Sequence, residues 1–257
     1  MDPVIEDLFS LTGRRAVVTG GSSGIGLAIA DALCRAGADV VVVARRTEQL
    51  RDVTEQLRAA GGSADWLSGD LGDRAGVHRL ADDILARHGA PDILVNSAGI
   101  NLRPHLDQLS EDDWNRTMAV NLDAPFVLGQ RFGPAMAANG WGRIIHVASQ
   151  QTVRAFGNSG AYGVSKAAVA ALTRSQAEAW SARGVCVNAI APGFVHTPLT
   201  EPVFQDPVRA EAMARRTMIG RNGELADFTG IAVFLASDAS AYLTGQTIFL
   251  DGGFSST

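Results

Sequence analysis

Arg15-Ala16-Val17-Val18-Thr19-Gly20-Gly21-Ser22-Ser23-Gly24-Ile25-Gly26 is the stretch from which the fold is read. A short β-branched run ends at Thr19. Gly20, Gly24 and Gly26 follow in a G-x-x-x-G-x-G spacing, and a helical pattern opens at Gly24 and closes before Gly37. Glycines at such a strand-to-helix turn let the chain reverse tightly and let its backbone approach a ligand closely. The new helix points free N–H groups and the positive end of its dipole at the same place, which suits a pyrophosphate. Gly20, Ser22, Ser23, Gly24, Ile25 and Gly26 are therefore the candidate phosphate cradle.

The same alternation continues along the chain. Strands are expected at residues 15–19, 39–44, 64–68, 92–95, 142–148, 185–190 and 247–250. Helices are expected at 24–36, 47–60, 74–88, 161–182 and 225–236, with one long helical region from Ser110 to about Ala138 and a looser segment over 192–221. The strands are continuous Val/Ile runs rather than alternating ones, so both of their faces should be buried. Repeated βα units of this kind predict a single-domain α/β fold over residues 1–257: a Rossmann-like, doubly wound parallel sheet of about seven strands, with helices on both faces.

Composition narrows the function. The chain has 257 residues, is 46% hydrophobic and carries a net charge of −5, enough apolar content for one sizeable core. It has no basic stripe interleaved with aromatics, so nucleic acid is not an expected partner. Its apolar runs are strand-sized, too short to span a membrane. The start, Met1-Asp2-Pro3-Val4-Ile5-Glu6-Asp7, is acidic and reads as neither a signal nor a transit peptide, so a cytoplasmic protein is expected. Cys34 and Cys186 fall in a helix and a strand and read as small buried hydrophobes. No His/Cys/Asp cluster has metal-ligand spacing, so no metal site is expected.

Among 22 basic residues only Lys166 is a lysine, and it stands four residues after Tyr162, one of two tyrosines. Chance would give that pairing in roughly 1% of chains, so the spacing is treated as signal. On a helix, i and i+4 share a face. A compact ammonium beside a phenol is expected to lower the phenol's pKa, which a guanidinium's spread charge would do less well. At the end of the second strand, Ala44 offers no carboxylate for a ribose hydroxyl, whereas Arg45 and Arg46 offer forks for a 2′-phosphate. NADP(H) is thus expected, with NAD(H) as the second cofactor.

Together these motifs resemble the short-chain dehydrogenase/reductase family over nearly the whole chain, from about Leu11 onward. The likeness is carried by the glycine turn, Asp70, Asn96-Ser97-Ala98-Gly99, Asn121, Ser149, Tyr162-x-x-x-Lys166 and Pro192-Gly193. Ser97 departs from it, standing where the family usually has a second Asn. The resemblance implies that Tyr162 is the general acid/base, that Lys166 bonds the nicotinamide ribose, and that Ser149 bonds the reacting oxygen. It implies that Asn121 kinks its helix and helps hold a water leading to Lys166. Asp70 would bind the adenine amino group and Asn96 would lie beside the adenosine ribose. Leu71, Ala98, Gly99, Pro192, Gly193, Val195 and Thr197 complete the implied cofactor contacts.

The segments after Gly99 and Gly193 should form the substrate mouth, beyond the carboxyl ends of the strands. They hold Asn101, Arg103 and His105, then His196, Leu199, Glu201 and Arg221; Gln150, Gln151 and Arg154 follow Ser149. Arg103, Gln151 and Arg154, with Ser149 and Tyr162, are the candidate substrate contacts. Arg103 or Arg154 could pair with a carboxylate, the alternative for each being a solvated surface arginine. Local runs such as Thr197-Pro198-Leu199-Thr200-Glu201 resemble the gluconate 5-dehydrogenase branch, which implies a sugar acid, ketose or polyol as the small-molecule substrate. The alternatives are a 3-oxoacyl-(acyl carrier protein) reductase and a non-catalytic cofactor-binding scaffold. Ala167, Ala168, Ala170 and Ala171 make the helix after Tyr162 small-sided, and by resemblance it and the helix around Asn121 pair in a homotetramer. His146 reads as a hydrogen-bonded core residue, His78 and His88 as solvated, the four Trp as packing residues, and Asp251-Gly252-Gly253 as a subunit-contact feature without chemistry.

Overall fold

The computed structural model describes residues 2–256. The strands are β1 Arg15–Thr19, β2 Asp39–Ala44, β3 Ser63–Ser68, β4 Ile93–Asn96, β5 Gly142–Val147, β6 Val185–Pro192 and β7 Thr247–Leu250. The helices are α1 Pro3–Phe9, α2 Gly24–Arg35, α3 Thr47–Ala59, α4 Arg74–His88, α5 Glu111–Met118, α6 Ala124–Ala138, α7 Gly160–Trp180, α8 Glu201–Phe204, α9 Pro207–Arg215 and α10 Asp227–Ala236. All seven strands are parallel, in the order β3-β2-β1-β4-β5-β6-β7. β1 pairs with both β2 and β4, so the winding reverses between β1 and β4. A crevice beyond the carboxyl ends of those two strands is where such a sheet receives ligands.

The apolar runs are double-faced, as their composition requires. Along β1, Ala16 and Val18 point into one core and Val17 into the other. Along β2, Val40 and Val42 join the first and Val41 and Val43 the second. The first core is closed by α2, α3 and α10, through residues such as Ile29, Leu50 and Phe228; the second by α4, α6 and α7, through Ile84, Phe132 and Trp180.

The structure corrects the sequence reading in four places. The single helical region over 110–138 is two helices joined by a π-turn, Ala119–Asp123, with Asn121 at its centre. The looser segment holds α8 and α9, the latter capped by Asp206, which accepts from the N–H groups of Val208 and Arg209. Helix α1 was not expected; Asp2 caps it, accepting from Val4 N at 2.9 Å, and Pro3 opens it. His88 is not fully solvated: it is half-buried, 3.5 Å from an Asp65 oxygen.

His146 is a core residue, as expected. Its Nε2 lies 2.9 Å from Gln176 Oε1 and its Nδ1 lies 3.2 Å from the amide nitrogen of Asn96. Complete burial lowers its pKa from 6.5 to about 4. A histidine whose folded pKa is depressed contributes stability above its unfolded pKa and loses it as pH falls. Between pH 6.5 and 4 the wild type should therefore lose about 3 kcal/mol more than a His146→Leu variant, which melts lower at neutral pH because Asn96 and Gln176 lose their partner. Thermal melts of both proteins across that window measure the difference in slope.

Candidate active site

A cavity of about 740 Å³ opens at the switch point between β1 and β4. Its floor at one end is the glycine turn. A Cβ on Gly20 would sit 2.7 Å from Ala98 Cα, and one on Gly26 would sit 2.3 Å from the Gly20 carbonyl oxygen. Gly24 has φ +54°, a left-handed conformation that favours glycine. Glycine is therefore required at these three positions, and the turn brings its backbone to the cavity wall. Ser23, at the N-terminus of α2, makes no side-chain cap bond, so the first N–H groups of that helix are left for a ligand. This donor set fits a pyrophosphate.

Thr19, the last residue of β1, locks the neighbouring loop to this turn. Its hydroxyl accepts from the N–H groups of Ser97 (3.2 Å) and Ala98 (3.3 Å) and donates to the Val95 carbonyl (3.3 Å). Gly20, Ser22, Ser23, Gly24, Ile25, Gly26, Arg45, Arg46, Asp70, Leu71, Ala98, Gly99, Pro192, Gly193, Val195 and Thr197 all line the cavity. Asn96 does not: it is buried, and its amide is spent on His146. As the last residue of β4 it stands on the face of the sheet that it shares with its register partner His146, under α7. Arg45 and Arg46 are exposed at the rim beside Ala44. Asp70 sits at the same end, one carboxylate oxygen accepting from Gly72 N at 2.9 Å.

At the other end, α7 delivers Tyr162 from its first turn and Lys166 one turn later, on one face. The ammonium lies 5.6 Å from the phenol ring centre. Lys166 Nζ donates to the Val147 carbonyl at 2.6 Å. Gly99 lies beside it, a Cβ there standing in ordinary contact at 3.5 Å from Nζ. Ser149 follows β5 and accepts from Gln151 N at 3.2 Å. Burial lowers the Lys166 pKa to about 8. Burial also raises the Tyr162 phenol above its usual value, opposed by the Ser149 hydroxyl and, more weakly, by the Arg103 guanidinium. Lys166 is not among the groups that shift the phenol here: in the protein alone burial dominates, and the lowering expected from Lys166 together with the oxidised cofactor's ring is not produced by the ammonium.

Asn121 is buried and outside the cavity wall. The π-turn aims its amide sideways: Oδ1 accepts from Ile100 N (2.9 Å), and Nδ2 donates to the Ile100 carbonyl (3.0 Å) and to Ser165 Oγ (3.0 Å). It ties the loop after β4 to α7. Ser165, which the sequence reading missed, completes that tie by donating to the Tyr162 carbonyl at 2.7 Å; its place three residues after Tyr162 on a helix was the available signal.

At the mouth, Asn101, Arg103, Gln150, Gln151 and Leu199 line the cavity. Arg103 is half-buried and donates to the Leu199 carbonyl at 3.4 Å. Arg154 is corrected as a substrate contact: it lies outside the wall and donates to the Ser255 carbonyl at 2.8 Å. Arg221 is also spent elsewhere, on Asp227, and His196 pairs with Glu201 at 2.7 Å. Thr200, unremarked in the sequence, holds the root of this segment by accepting from Thr197 N at 3.0 Å.

A family model described as enoyl-(acyl carrier protein) reductase, a model of the short-chain dehydrogenases, matches residues 20–255. The chain belongs to the short-chain dehydrogenase/reductase family. It is 38% identical over 247 residues to gluconate 5-dehydrogenase of Gluconobacter oxydans, covering 96% of both chains. Among solved structures, it resembles a gluconate 5-dehydrogenase from Burkholderia cenocepacia in complex with NADP and tartrate. That likeness has a TM-score of 0.94 and 39% identity, covering 98% of this chain and 99% of that one. A 3-oxoacyl (acyl-carrier-protein) reductase from Agrobacterium tumefaciens with NADP bound matches with a TM-score of 0.92 and 36% identity, covering 96% of each chain.

Replacing Lys166 by Arg should cut kcat/KM by about a hundredfold or more, since the forked cation cannot keep both the Val147 contact and the space beside Tyr162. Ser149→Ala should cost about as much. Steady-state kinetics alongside melting curves check that the loss is chemical rather than structural.

Proposed function

We propose that this chain is an NADP(H)-dependent oxidoreductase that interconverts a secondary alcohol and a ketone on a sugar acid, ketose or polyol. The observation that carries the reading is one cavity with two differently equipped ends. Arg45 and Arg46 stand at the end with the phosphate cradle, and Tyr162, Ser149 and Arg103 stand at the other. When bound, the nicotinamide cofactor supplies or accepts the hydride. Ser149 donates a hydrogen bond to the substrate oxygen, and Tyr162 passes a proton to it in reduction. In oxidation Tyr162 takes that proton, which requires its pKa to fall. Lys166 and the positive ring of the oxidised cofactor favour the phenolate. Lys166 also stands where it could bond the ribose, while Asn121 fixes the loop and helix that hold these groups apart.

Identity to gluconate 5-dehydrogenases over nearly the full length supports the substrate class, and the NADP in two structural relatives supports the cofactor. The likeness to a 3-oxoacyl reductase supports a second reading, but the polar mouth suits a hydroxylated chain better than an acyl one. No described helix is long and apolar enough to cross a membrane. A cytoplasmic homotetramer fits the exposed face of α7, where Val164, Ala167 and Ala171 lie open, although Ala170 turns inward and is buried.

Initial rates with 5-ketogluconate, a ketose and an acetoacetyl thioester, each with NADPH and NADH, test the reading. The ketogluconate with NADPH should be reduced fastest; a faster thioester would overturn the substrate class. Arg45→Ala with Arg46→Ala should raise KM for NADPH by about tenfold or more and leave that for NADH nearly unchanged. Light scattering at micromolar concentration should give four times the chain mass.

A further inference from the structure

We propose that Phe254 is a positioning residue for the substrate: its ring clasps both ends of the segment 194–219 to the loop 153–159, and so sets where that segment stands over Ser149 and Tyr162. This rests on the reading that these two residues hold the reacting carbon. Phe254 is 1% exposed. Its ring centre lies 6.0 Å from that of Phe156 and 5.8 Å from that of Phe194, and the latter two rings meet edge to face at 5.5 Å. The Arg216 guanidinium lies over the same ring, 4.2 Å from its centre. Phe156 belongs to the chain between Ser149 and Tyr162, and Phe194 lines the cavity at the start of the substrate segment. Arg216 caps the end of α9, near the far end of that segment. Among the described residues Phe254 packs in neither of the two cores that flank the sheet, so its burial serves these loops.

The turn that carries Phe254 is built for close approach. The Asp251 carboxylate folds it by accepting from Gly253 N (3.0 Å) and Ser255 N (2.8 Å). The Gly252 carbonyl accepts from Ile219 N at 3.2 Å, and a Cβ on Gly253 would sit 2.8 Å from Met218 Cγ. The Ser255 carbonyl accepts from Arg154 at 2.8 Å. Between its ends the substrate segment has little to fix it, since α8 buries only Val203 and α9 buries no residue. Segments with so few buried contacts are the ones that open most easily. On the other side, Asn158 has φ +56°, a left-handed conformation that a non-glycine residue keeps where its surroundings hold it. A large ring buried among other rings, with a cation on its face, supplies that hold. The segment brings Thr197, Leu199 and Thr200 to the cavity, and the Leu199 carbonyl accepts from Arg103. With its base fastened, these groups stay where a bound ketone meets them.

Trypsin cleavage after Arg209 and Arg215 in the enzyme–NADPH complex, followed by mass spectrometry, reads the clasp directly. Steady-state kinetics with 5-ketogluconate read its consequence. Phe254→Ala should be cut within α9 about tenfold faster and raise KM for the ketone about tenfold, with kcat within about threefold and the NADPH dissociation constant, by fluorescence, within about twofold. Phe254→Leu, which keeps most of the apolar volume, should return KM to within about threefold of the wild type. Arg216→Met, an exposed change, should raise both the cutting rate and KM about threefold. A folded Phe254→Ala protein with wild-type cleavage and KM overturns the proposal. So does one that weakens NADPH and lowers kcat as much as it raises KM, the mark of general damage. Should Phe254→Ala fail to fold by circular dichroism, Arg216→Met decides, and wild-type cleavage and KM in that variant overturn the proposal. If the wild type turns over no ketone, the functional reading falls, while the cleavage rates still decide the clasp.

Discussion

A buried ammonium is the constraint around which this site is arranged. An unpaired cation out of water tends to lose its proton, and Lys166 has one recorded hydrogen-bond partner among the described residues, the Val147 carbonyl. That bond fixes where β5 must end and how α7 must lie across it. Ser149 stands two residues beyond the anchoring carbonyl, at the same end of the cavity. Burial moves the two groups in opposite senses, lysine down and phenol up, because in each case it disfavours the charged form.

The two ends of the cavity are set by different parts of the chain's logic. The phosphate end is made by backbone: glycines, an uncapped helix start and a threonine hydroxyl that staples two turns together. At Gly20, Gly24 and Gly26 it depends on the absence of a side chain. The mouth is made by side chains on loops, Arg103 among them, supported from behind by Asn121. Loops carried on a rigid frame can vary without disturbing it, so recognition can change while the proton chemistry stays fixed.

Much of this was legible in the sequence. Continuous valine runs announced a two-faced parallel sheet because period-2 strands have no other way to bury both sides. The glycine spacing pointed to one end of the cavity, and the solitary lysine to residues that meet at its other end. What escaped was whatever depended on direction rather than type. Asn96 reads as a ligand contact, yet as the last residue of its strand it faces His146. Arg154 follows the reactive serine closely in sequence, yet the turn after it carries the side chain to the Ser255 carbonyl. The π-turn was invisible because the residues around Asn121 have ordinary helical preferences; the extra width comes from the amide's bonds to Ile100 and Ser165, which are tertiary.

That wide turn also makes the chain sensitive to length at one place. A π-turn holds one residue more than a regular helix would use over the same rise. Removing a single residue between Ala119 and Asp123 would let α5 and α6 fuse into an uninterrupted rod of the same rise, and the widening that aims Asn121 at Ile100 and Ser165 would be gone. Exchange of one side chain for another leaves the length of this turn intact, whereas a gap would heal the helix and free the loop that Asn121 holds.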